Sequence, residues 1–80
     1  MRTHERREAL QQGHPEWVVK FGYTPAARAM VAQLMEGRPM TRHELADAAG
    51  YTPSTVTIVL NALRRLGRVQ KHGTREWRVR

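Results

Sequence analysis

Apolar residues recur at helical spacing through the middle of the chain and give way to alternation at its end. Val56, Val59, Leu60, Leu63 and Leu66 stand at i, i+3, i+4, i+7 and i+10, one stripe along an amphipathic helix. Thr52-Pro53 before the stripe supplies a hydroxyl cap and a proline at the first helical position, and Gly67 after it supplies a left-handed stop, so a helix is predicted over 53–66. Thr24-Pro25 opens an earlier helix in the same way. Its apolar positions are Ala27, Met30, Val31 and Leu34, and Gly37 and Pro39 close it. Between these two, Thr41 with Glu44 three residues on forms a capping box, followed by Leu45, Ala46, Ala48 and Ala49 and ended by Gly50. Alanines at this density let another helix approach closely. The turn to the next helix is centred on Tyr51.

After Gly67 the period changes to two. Val69 and Lys71, then Trp77 and Val79, alternate with polar residues around His72-Gly73-Thr74-Arg75, a β-hairpin with a short glycine-containing turn. Trp17 and Trp77 are expected to anchor the core. At the other end, residues 4–12 favour helix by propensity, with Ala9 and Leu10 their only apolar members, and Gly13 and His14-Pro15 end the segment. Trp17, Val18, Val19 and Phe21, stopped by Gly22, form a β-prone run that predicts a short strand or a strap across the core. No internal repeat or low-complexity stretch is present. The expected architecture is mainly α with a small β-hairpin. A three-helix core plus a two-stranded wing fills residues 24–80, and an amino-terminal extension over 1–23 precedes it.

Eighty residues accommodate one packed core and no second domain of any size. An apolar fraction of 40% and a charged fraction of 26% are ordinary for a globular chain. Without cysteine there is neither a disulfide framework nor a thiolate metal site, which makes the cytoplasm the natural expectation. No apolar run is long enough to span a bilayer, and the amino terminus is polar where a signal peptide would be hydrophobic. The net charge of +7 is unevenly placed. Residues 1–53 hold seven Lys/Arg against six Asp/Glu, whereas residues 54–80 hold seven (Arg64, Arg65, Arg68, Lys71, Arg75, Arg78 and Arg80) against Glu76 alone. That asymmetry points to a polyanionic partner, with a solvated basic tail as the plain alternative.

The chemistry of the last helix bears on the choice. Opposite its apolar stripe lie Ser54, Ile58, Asn61 and Arg65, with Thr57 and Arg64 on the flank. Hydroxyls, an amide, an aliphatic group and guanidiniums suit base edges, a thymine methyl and phosphates in the major groove, and no carboxylate interrupts the face. Ile58 has a second reading, as a residue half-buried under the wing or the amino-terminal segment. Arg64 and Arg65 also complement the dipole at the helix end. The four histidines, His4, His14, His43 and His72, have no ligand spacing, so no metal is expected. His43 reads as a solvent or phosphate contact, and Tyr51 offers its hydroxyl to a phosphate. No Ser/His/Asp set, paired carboxylate or glycine-rich phosphate loop stands out, so neither catalysis nor a cofactor is expected.

Over residues 24–80 the chain resembles the winged helix-turn-helix family of DNA-binding domains. Ala46, Gly50, Val56 and Val59 fall at the family's spacing of a small residue, a turn glycine and branched apolar residues. Leu66-Gly67-Arg68-Val69 matches the passage into the wing, and Trp77 or Val79 matches the apolar residue that the second wing strand returns to the core. The resemblance implies sequence-specific binding of double-stranded DNA by a small transcriptional regulator of bacterial or phage type. It implies that helix 53–66 enters the major groove through Ser54, Thr55, Thr57, Ile58, Asn61, Arg64 and Arg65. It further implies that the wing, 68–80, and neighbouring positions meet phosphates or the minor groove through Thr41, Arg42, Tyr51, Thr52, Arg68, Lys71, His72, Thr74 and Arg75. The wing is short, which favours phosphate contact. The family also contains protein-interaction and assembly adaptors and binders of structured RNA, so both remain as alternatives. Residues 1–23 are the candidate contact for a homodimer or a protein partner.

Overall fold

The computed structural model describes residues 7–8 and 10–80. Of the helix predicted over 4–12, residues 4–6 and Ala9 lie outside the described residues; residues 7–8 and 10–11 are helical, Gly13 follows at φ 86°, and Leu10 is exposed. Four helices and three strands follow: α1 (Glu16–Gly22), α2 (Pro25–Leu34), β1 (Met40–Thr41), α3 (Arg42–Ala49), α4 (Pro53–Arg65), β2 (Val69–His72) and β3 (Glu76–Val79).

The three predicted caps close as their residue types require. The hydroxyl of Thr24 accepts the N–H of Ala27 at 3.2 Å, that of Thr41 the N–H of Glu44 at 3.2 Å, and that of Thr52 the N–H of Thr55 at 3.3 Å. At Thr41 the box is reciprocal, with Glu44 Oε1 accepting the Thr41 N–H at 2.9 Å. That hydrogen bond, together with the Arg38 guanidinium 3.1 Å away, holds the Glu44 carboxyl below the usual carboxylate range. The carboxyl end of α4 is a Schellman closure: Gly67 at φ 77° donates to the Arg64 carbonyl and Arg68 to that of Leu63. Helix α4 therefore stops at Arg65 with Leu66 as its cap, one residue short of the predicted end.

Inside, Val56, Val59, Leu60 and Leu63 of α4 are buried with Met30 and Leu34 of α2, Leu45 and Ala46 of α3, and Met40, Val69 and Trp77 of the sheet. Ala46 supports the close helix approach. Ala48 is exposed and Ala49 half-buried, so they contribute less. Trp77 anchors the core as expected, at 6% exposure.

Two expectations are corrected. Trp17 to Phe21 is neither strand nor strap but part of α1, which packs against α4. Two adjacent valines are too short a run to impose β structure once tertiary packing rewards the helix. Val18, Val19 and Gly22 are buried, and a Cβ at Gly22 would meet the Leu66 side chain. Trp17 is the second correction. At 41% exposure it is no core anchor, because the helical turn places Val18 and Val19 inward in its stead. The two-stranded wing forms as expected from β2 and β3, and β1 joins it as a third strand in the order β1-β3-β2, all antiparallel neighbours. Met40 pairs with Trp77 and Thr41 with Glu76. A two-residue strand that runs straight into a capping box carries no alternation that a sequence could display.

Leu60 is fully buried at the centre of this core. Replacing it with Ala should cost about 2–5 kcal/mol in chemical denaturation, from lost burial and the cavity left behind.

Candidate nucleic-acid interface

Because the inner stripe of α4 is held in the core, the opposite side is turned to solvent. Ser54, Ile58, Asn61, Arg64 and Arg65 are all exposed. Ile58 is 44% exposed and is not covered by the wing or by the described part of the amino-terminal segment. No side chain on this face carries a negative charge. With 13 residues at about 1.5 Å each, α4 is roughly 20 Å long, and a bare α-helix of that kind fits a major groove about 12 Å wide.

Beside it runs an open groove of about 660 Å³. Thr41, Arg42 and His43 line it from the start of α3, Thr57, Leu60 and Asn61 from α4, and Lys71, Thr74, Arg75 and Trp77 from the hairpin. Four basic or imidazole side chains thus converge on one concavity in which no carboxylate takes part. Glu76, the single acid of residues 54–80, stands in register with His72 and Thr41 in the sheet and is not among the lining residues. The potential in the groove is therefore set by cations.

Local hydrogen bonds fix several of these groups. Arg42 Nη1 donates to Thr57 Oγ1 at 3.4 Å, and that hydroxyl donates to the Pro53 carbonyl at 3.0 Å. This chain ties the start of α3 to α4. Lys71 Nζ donates to the Thr74 carbonyl at 3.2 Å and lies 4.7 Å from the Trp77 ring centre. The ammonium therefore sits over the indole where both line the groove. Gly73, at φ 71°, lets the three residues between β2 and β3 turn, which leaves His72, Thr74 and Arg75 exposed at the tip.

The remaining sequence-derived positions have other settings. Thr52 and Thr55 are engaged with each other, since the Thr52 hydroxyl also donates to Thr55 Oγ1 at 3.1 Å. Both serve the start of α4. Tyr51 is exposed in the turn, and its backbone N–H is taken by the Ala46 carbonyl. Arg68 has an exposed side chain, and its carbonyl accepts the Arg80 N–H at 3.2 Å. Arg65 lies apart from the groove, with its guanidinium 6.0 Å from the Trp17 ring. Three groove residues, His43, Leu60 and Trp77, lie outside the DNA-contact set that the resemblance implies. His43 reads from the sequence as a solvent or phosphate contact, and its place beside the groove follows from how α3 meets the wing in space, which sequence spacing does not encode. Leu60 and Trp77 are core residues that also line the groove, so its floor is one side of the core. Among the described residues no group of three or more His, Cys, Asp or Glu side chains gathers as a metal site, and no helix is long and apolar enough to cross a membrane.

A family model described as a Crp-like helix-turn-helix domain covers residues 25–80, the span from the first residue of α2 to the end of the chain. No curated protein and no solved structure matches.

Thr52 tests whether the threonine at the entrance to this face is a cap. Thr52→Ala should lower unfolding stability by about 0.5–2 kcal/mol in a denaturant titration, because the Thr55 N–H loses its acceptor.

Proposed function

The chain belongs to the Crp-like helix-turn-helix family, and on that premise we propose that it is a sequence-specific binder of double-stranded DNA acting as a small transcriptional regulator. In this reading α4 enters the major groove. Ser54, Thr57, Ile58 and Asn61 meet base edges, with the Asn61 amide suited to adenine and Ile58 to a thymine methyl. Arg42, Lys71, His72, Thr74 and Arg75 meet the sugar–phosphate backbone beside it, and Arg64, Arg65, Arg68 and Tyr51 add contacts at the ends of the helix. The short hairpin serves as a phosphate clamp.

The observation that carries this reading is the continuity of an acid-free helix face with a groove lined by Arg42, His43, Lys71 and Arg75. A protein-interaction adaptor has no need to exclude carboxylates from both surfaces at once. Here a carboxylate on either would be repelled by phosphate. Specific half-site recognition by one helix and one wing is limited in area, so a dimer or a partner protein, reached through the amino-terminal segment, is part of the proposal. The setting proposed is the cytoplasm of a bacterium or of a phage-infected host.

Selection of random duplexes on the purified protein, followed by titration across salt, tests this reading. An enriched motif is expected, palindromic if the protein pairs, with affinity that falls steeply between low and moderate salt. Asn61→Ala should cost about 1–3 kcal/mol at one base position and relax preference there. Arg75→Ala should weaken all sequences alike and reduce the salt slope by about one. Salt-independent binding, or none, would remove DNA as the partner and leave the adaptor.

A further inference from the structure

The groove accounts for one side of α4. A helix seated in the major groove has a phosphate strand on each side, and the wing reaches one of them. On the other side stands α1. Its position is fixed by packing, since Val18 and Val19 are buried and Gly22 lies against Ala62 and Leu66 of the α4 end. From this docked helix Trp17 presents a ring that stays 41% exposed, and the Arg65 guanidinium lies 6.0 Å from its centre. Arg65 is the last residue of α4, on the same outward face as Ser54, Ile58 and Asn61. An exposed indole next to an exposed guanidinium stands at the border of a helix face read as the DNA surface; on the opposite flank the Lys71 ammonium lies 4.7 Å from the centre of a Trp77 ring that is itself buried.

We infer that Trp17 and Arg65 form a second phosphate-contacting flank of the interface, in which the Trp17 indole is a positioning residue that holds the Arg65 guanidinium towards the DNA strand away from the wing. This rests on the DNA-binding reading above. The physical reason is entropic and geometric. A free arginine loses rotamer freedom when it engages a phosphate, and a planar ring that already confines the guanidinium lowers that cost while leaving its N–H groups free to donate. Helix α1 thereby has a role in binding as well as in packing.

A double-mutant cycle on duplex affinity tests the pair, with Trp17→Ala, Trp17→Phe, Arg65→Ala and the Trp17→Ala/Arg65→Ala double variant measured by anisotropy of a labelled duplex. Thermal melts of each variant establish that it is folded at the assay temperature. Trp17→Ala should weaken binding about two- to fivefold, and Trp17→Phe, which keeps an aromatic face, should lie closer to the unmutated protein. Arg65→Ala should reduce the salt slope by about one. The double variant should bind no more weakly than Arg65→Ala alone, because the indole acts through the guanidinium. Unchanged affinity in folded Trp17→Ala, or single losses that multiply in the double variant, would overturn the inference while the DNA reading stands. Failure of the unmutated protein to bind any duplex at low salt would overturn both.

Discussion

The rotation of α4 about its own axis is the constraint on which the rest depends. Val56, Val59, Leu60 and Leu63 are buried so completely that turning the helix by one residue, about 100°, would expose several of them at roughly 1.5–3 kcal/mol each. That cost fixes which side faces outward. Ser54, Ile58, Asn61 and Arg65 share a face because they are what remains when the stripe is satisfied. The caps set the helix along its axis as the stripe sets its rotation: Thr52 with Pro53 starts it and the Gly67 closure ends it. The functional surface is in this sense a by-product of core packing.

Charge is then added on a scaffold already positioned. None of the polar or charged side chains among the described residues is buried, so no arginine is needed to hold the fold together by an interior ion pair. The Arg38–Glu44 salt bridge is exposed and lies in the less basic half of the chain. The cations of α4 and the hairpin therefore face solvent or the groove and are available to an external anion. Two of them lie near aromatic rings, Lys71 4.7 Å from the Trp77 centre and Arg65 6.0 Å from that of Trp17, an arrangement that leaves their charge unneutralised.

How much of this was legible in the sequence differs by element, and the differences have physical causes. Helices α2, α3 and α4 announce themselves because each combines a local capping device with apolar residues at helical spacing, two signals of independent origin. The hairpin is legible from Gly73 between alternating residues. Helix α1 is not, because its seven residues are too few for a period to emerge, and Val18-Val19 favours strand until α4 is present to receive it. The strand β1 exists only through its pairing with β3, a long-range event. The outward face of α4 could be listed from the stripe alone, whereas the groove could not, since it arises from three elements far apart in the chain. Trp17 was misplaced for the same reason: its exposure follows from the docking of α1, not from its own chemistry.

The claim on which all of this converges is that the acid-free face of α4 and the groove beside it together receive duplex DNA. Backbone amide shifts of the labelled protein, followed while a duplex carrying the selected motif is added, test it most directly. The account predicts that the largest changes fall on Ser54 to Arg65, on Thr41 to His43 and on His72 to Arg75, while the amides of α2 stay nearly still. Changes centred on α2, or spread evenly over the basic surface without regard to α4, would contradict it.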